Sequence, residues 1–210
     1  MLTRSQLGLE RLASWFPLAR KLSPIPHLVA NSTDDTDRSV ESLLLELSTA
    51  AEGLYRRLYP DARRLSPEQV TEVARKVQSL DVDQQAKDIL CSAIKIYLWG
   101  PSLSNRLKQL AEDVDGVIPD VVGNSKKWNN AIQKARNGFA HHLEKGVITN
   151  DEAYAYYTLR QSLRWLLTCR ILIELGVPHT DLAKAFSRYE RYQRFLRNAS
   201  RDAPDIYMSE

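Results

Sequence analysis

Apolar residues recur at every third and fourth position along most of the chain, and no stretch alternates in the way a half-buried strand requires. Three- and four-residue spacing is the period of the α-helix, so the pattern predicts an all-α protein. Leu44, Leu47, Ala51, Leu54, Tyr55 and Leu58 show it most clearly, as one stripe of a helix over about 38–59. The same reading predicts helices over about 5–21, 66–80, 84–98, 103–114, 125–146, 149–175 and 180–198. Several ends carry their own signals. Ser66 with Pro67 and Gln69, and Thr149 with Glu152, have the spacing of capping boxes, while Gly146 and Gly176 suit left-handed C-terminal positions. The helix over 149–175 is apolar on much of its surface, through Tyr156, Leu159, Leu163, Leu166, Leu167, Ile171, Leu172 and Leu175. Such a helix belongs at the centre. Short connections between long helices make their neighbours antiparallel, which gives an up-and-down bundle with short inserted helices.

One break interrupts this regularity. "LSPIPHLVANSTDDTD" sets two prolines and a polar cluster between a lead segment, 1–35, and a main helical domain, 36–200, leaving 201–210 as a tail. The chain has 210 residues, 43% hydrophobic and 26% charged, enough for one sizeable core of ordinary globular composition. No run of about eighteen apolar residues is present, and Arg4, Glu10 and Arg11 stand where a secretion signal needs its apolar middle, so a cytoplasmic protein is expected. Cys91 and Cys169 lie far apart in apolar patterns without metal-ligand spacing and read as buried free thiols of a reducing compartment. Glycine-rich phosphate loops, HExxH and the nucleophile elbow are missing, so neither a cofactor nor a metal is expected.

Candidate chemistry concentrates in "KARNGFAHHLEKG". At about 100° per residue, Trp128, Ile132, Ala135 and Phe139 share one side of the helix and form its buried stripe, with His142 at the margin. Asn137 and His141 point away together, and Arg136 lies between them and the core side. A fixed cation, an amide and an imidazole that titrates near neutrality suit phosphodiester chemistry, in which arginine binds the phosphate and histidine moves protons. Adjacent histidines on a helix diverge, which disfavours a metal site made by His141 and His142. Spacing alone leaves a second reading open, that of an ordinary solvated helix face.

Arg136-Asn137 with His141, in the form RNxxxH, resembles the signature of the HEPN superfamily, and "AAEGLYRRLY" and "TLRQSLRWLLTCRILIELG" on either side resemble the ApeA-like HEPN subgroup over about 38–176. The resemblance implies a helical bundle of HEPN type acting as a metal-independent endoribonuclease. It further implies a homodimer whose two motif helices face each other across one cleft, and RNA as the substrate. Attack of the ribose 2′-hydroxyl on the adjacent phosphate would leave a 2′,3′-cyclic phosphate and a 5′-hydroxyl. By the same resemblance His141 is the general acid/base, Arg136 holds the scissile phosphate and Asn137 orients it or the histidine. His142, five residues beyond Arg136, is a possible accessory proton carrier. Glu52, on the long helix beside the motif, is a further accessory candidate, with a flank carboxylate pairing with Arg56 as its plainer reading. ApeA-like proteins usually carry a large N-terminal domain, so a sensing domain or partner protein outside this chain is also expected. Antiphage defence or a toxin-like role follows by analogy. Two alternatives stand beside this: a catalytically silent HEPN module for nucleotide or RNA binding or dimerisation, and a purely structural helical domain.

The formal charge is only +3, yet from Lys184 to Arg201 six basic residues face Glu190 alone. Arg188, Arg191 and Arg194 interleave there with Tyr189, Tyr192 and Phe195. On one continuous helix, Leu182, Phe186, Tyr189 and Leu196 would be the core stripe, and the arginines either a funnel for RNA with aromatic stacking groups or a solvated face.

Overall fold

A computed structural model describes residues 4–32, 38–94, 99–141 and 148–208, with the backbone alone for 4–7, 140 and 141. Eleven α-helices and no strand occur among the described residues: α1 (Arg4–Leu22), α2 (Ile25–Asn31), α3 (Val40–Leu58), α4 (Pro67–Gln78), α5 (Gln84–Ala93), α6 (Leu103–Asp115), α7 (Ser125–His141), α8 (Asn150–Glu174), α9 (His179–Arg188), α10 (Glu190–Asp202) and α11 (Pro204–Tyr207), with a 3-10 turn over Pro119–Val121. Both expected capping boxes form, Ser66 with Gln69 at the start of α4 and Thr149 with Glu152 at the start of α8. No helix among the described residues is long and apolar enough to cross a membrane.

Central α8 packs against α2, α3, α6, α7, α9 and α10. Leu159, Leu163, Leu166, Leu167 and Ile171 are buried along it, and Leu44, Leu47, Ala51 and Leu54 of α3 join them in one core. Each such leucine contributes about 1.5–3 kcal/mol relative to exposure. Trp128 of α7 is fully buried and donates its indole N–H to the Ser162 hydroxyl at 2.9 Å, which in turn donates to the Val121 carbonyl at 2.6 Å. A buried indole thus keeps its hydrogen bond, and α7 is locked to α8.

The start of α7 is fixed from the other end of the chain. Gly123 has φ +55, a left-handed conformation, and a Cβ there would stand 2.5 Å from the Ile206 carbonyl oxygen. Only glycine accepts both conditions. Asn124 donates its N–H to that carbonyl at 2.8 Å and caps α7 by accepting from Lys127 N–H at 3.0 Å.

Several expectations are adjusted. Leu22, Ile25 and Val29 of the lead segment are buried in the common core, as are Ala203 and Ile206 beyond 200. The expected helix over 180–198 divides at Tyr189, whose backbone is extended (φ −85, ψ 107), and resumes to Asp202. The division moves the buried set of α10 to Tyr192, Phe195 and Ala199, so the two rings read as stacking groups for RNA belong to the core. They pack there because Trp165 accepts Phe186, Tyr189 and Tyr192 edge-on around its ring, at centroid distances of 6.2, 5.7 and 5.7 Å. Of the two thiols, Cys169 is buried and Cys91 only half-buried.

Candidate functional site

Trp128, Ile132 and Ala135 are buried and Phe139 packs edge-on against Tyr156 at 4.9 Å, so α7 presents the expected stripe to the core. The opposite side is open. Lys134 and Asn137 are exposed, and a Cβ added at Gly138 would meet nothing within 4 Å. Arg136 lies between these two sides with 32% of its side chain exposed and turns inward toward α3.

What it meets is Glu52. Arg136 Nη2 donates to Oε2 at 3.3 Å, Arg56 Nη2 donates to Oε1 at 2.8 Å, and Arg106 of α6 reaches the same Oε1. One carboxylate therefore gathers three guanidiniums, leaving two uncompensated positive charges on a surface where Glu52 is 19% and Arg106 13% exposed. Burial pushes the Glu52 carboxyl upward. The hydrogen bond from Arg56 and the charges of Arg106, Arg56 and Arg136 outweigh that push and hold it below its ordinary 4.5, so it is ionised at neutral pH. The Nε atoms of Arg106 and Arg136 are buried without a partner. Their donors, together with the charge excess, suit a phosphate oxyanion that binds arginine through paired N–H groups.

The fold thus joins Glu52 and Arg136, which are 84 positions apart, and leaves Asn137 exposed one residue on. His141 closes α7 one turn after Asn137; its side chain, and all of His142, lie outside the described residues. Gly146, expected to end this helix, also lies outside them. Both readings of Glu52 hold at once, since it pairs with Arg56 and also reaches the motif arginine. Arg188, Arg191 and Arg194 are all exposed, away from this cluster, on α9 and α10. Arg106 was not foreseen. It flanks the α6 stripe of Leu107, Leu110 and Ala111, and its partner lies 54 positions upstream, so no local pattern marks it.

A family model described as Apea-like HEPN matches residues 45–181, well over half of the chain. That span holds Glu52, Arg106, Arg136, Asn137 and His141. No curated protein and no solved structure matches the chain.

Proposed function

Because this chain belongs to the Apea-like HEPN family, we propose that it is a metal-independent endoribonuclease with its active site on α7. The observation that carries the proposal is the Glu52–Arg136–Arg106 cluster beside Asn137, with His141 one helical turn further along. It is a place with two surplus positive charges, unfilled arginine donors and a titratable imidazole within reach. Its outer face is bare around Gly138, which leaves room for a second α7 to approach closely in a dimer and build one cleft from two copies.

In that cleft a neutral His141 takes the proton of the ribose 2′-hydroxyl as its oxygen bonds to the adjacent phosphorus. The bond from phosphorus to the 5′-oxygen breaks, and a protonated His141 of the second copy returns a proton to the leaving oxygen. The products are a 2′,3′-cyclic phosphate and a 5′-hydroxyl. Arg136 binds the non-bridging oxygens and stabilises their growing charge, Arg106 adds to the field, and Glu52 holds both side chains in place. Asn137 orients the phosphate. His142 is an accessory proton carrier.

The test is cleavage of single-stranded RNA and tRNA by the purified dimer in EDTA, with end-group analysis. Wild type is expected to cut and leave cyclic phosphates, while Arg136→Ala and His141→Ala, folded and dimeric, do not. Equal cutting by all three would remove the chemistry from α7. An inert but dimeric wild type that still binds RNA would favour the silent binding module. Defence against phage or a toxin-like role is then read from the growth of cells expressing the active and inactive forms.

A further inference from the structure

We propose that a second site, the cleft between α8 and α10, binds the phosphate of a nucleotide. The cleft encloses about 260 Å³, near the lower end of the range for small-molecule sites. Arg164 lines one wall and Arg191 and Arg194 the other, with Trp165 and Asp202 between them. Three guanidiniums face one carboxylate, and that carboxylate is already held outside the cleft by Arg201, at 2.7 and 3.3 Å. Arg194 pairs with Glu190 at 3.1 Å, but those side chains are 64% and 78% exposed, so the pair holds the arginine weakly and yields it to a phosphate. Two planar forks from one helix suit the tetrahedral oxygens of a phosphate better than a single carboxylate.

Trp165 supplies an independent sign. Only 4% of it is exposed, yet its indole N–H is buried without a partner. A buried donor of that kind calls for an acceptor, and an oxyanion seated in the cleft provides one. Tyr157, 44% exposed at the same cleft, offers a ring on which a base stacks.

No residue is shared with the Glu52 cluster, which sits among α3, α6 and α7. The α10 wall also falls beyond residue 181, outside the stretch matched by the family, so this half of the cleft belongs to the present chain rather than to the shared domain. The phosphate comes either from a free nucleotide or from an RNA strand. Neither source requires that α7 cut anything.

Titration calorimetry of the full chain decides it, with three probes: AMP, adenosine, and a fully 2′-O-methylated hexanucleotide, which has no 2′-hydroxyl to react. The variants are Arg191→Gln with Arg194→Gln, and Arg188→Gln as an exposed arginine outside the cleft. Far-UV circular dichroism checks that each is folded. The expected result is binding of AMP or the hexanucleotide with no binding of adenosine, weakened about tenfold per arginine removed from the cleft and unchanged by Arg188→Gln. AMP binding identifies a free nucleotide. Binding of the hexanucleotide alone, with the salt dependence falling by about 1.4 in log–log slope in the double variant, identifies an RNA strand. Absence of binding by both phosphate probes overturns the proposal. So does binding that adenosine matches, or that the double variant retains, or that Arg188→Gln weakens as much.

Discussion

Around Asp113, Arg170 donates from Nε at 3.0 Å, Tyr59 from its hydroxyl at 2.6 Å and Gln109 from its amide at 3.1 Å, while Arg170 Nη1 reaches Glu174 at 3.2 Å and Lys21 stands 3.6 Å from the same carboxylate. Two acids meet two bases, and the Asp113 and Arg170 side chains are 14% and 10% exposed. Around Glu52 one acid meets three arginines, and two of those arginines keep a buried Nε without a partner. Both assemblies join α3 to α6 and a third helix. The first is closed, with each charge answered, so its worth is in holding the bundle together. The second is left open toward an anion, so part of its worth is in what it will bind.

The sharpest way to break this contrast is to remove the closed assembly's acceptor. Asp113→Ala leaves Arg170, Tyr59 and Gln109 with donors and no acceptor, and is expected to cost about 3–5 kcal/mol in urea unfolding. Cleavage by the molecules that remain folded should be unchanged. Arg136→Gln should do the reverse. It loses a single 3.3 Å pair of a half-exposed side chain, worth less than about 1 kcal/mol of stability. Loss of a phosphate donor in the transition state should lower RNA cleavage about 10²–10³-fold. A stability loss as large as that of Asp113→Ala would make the α7 cluster a second structural clamp.

Glu52→Gln sharpens the comparison further. Its shape is kept while its charge goes, so the surplus around it rises from two positive charges to three. RNA should bind a few-fold more tightly, whereas kcat should fall about tenfold because Arg136 and Arg106 lose their anchor. A structural role alone would lower the active fraction and leave KM where it was. Steady-state kinetics on an RNA oligonucleotide separates the two.

The closed and open assemblies were unequally legible in the sequence, for a physical reason. Helix period and capping are local, so the stripe of Trp128, Ile132 and Ala135 and the boxes at Ser66 and Thr149 could be read directly. Arg136 and Asn137 were legible as a motif, and Glu52 as a flank residue. The meeting of Glu52 with Arg106 and Arg136 spans 54 and 84 positions, and that of Asp113 with Arg170 spans 57; no helical wheel contains those distances. The division at Tyr189 was hidden differently. Neither glycine nor proline marks it, and a continuous helix would bury 189, 193 and 196, whereas the packing around Trp165 shifts the buried face to Tyr192, Phe195 and Ala199. Tertiary packing overrode a locally consistent pattern.

The smallest effects are those of pH, and they separate the two assemblies by sign. In the open one, the Glu52 carboxyl is held below 4.5 because the arginine hydrogen bond and charges outweigh its burial. The unfolded chain therefore takes up this proton first as pH falls. The stability it contributes is complete above about pH 4.5 and disappears as pH drops through the lower folded value. In the closed one, burial and then the hydrogen bond to Asp113 raise the Tyr59 hydroxyl above its ordinary 10.0. Here the unfolded chain loses its proton first, so the contribution is complete below about pH 10 and is lost as pH rises through the higher folded value. Thermal unfolding followed from pH 3 to 11 should show the acid slope flattened in Glu52→Gln and the alkaline slope flattened in Tyr59→Phe, with the opposite slope intact in each. If Glu52→Gln left the acid slope untouched, the three arginines would not be gathered on that carboxylate in solution. The open assembly would then be a property of Arg136 alone.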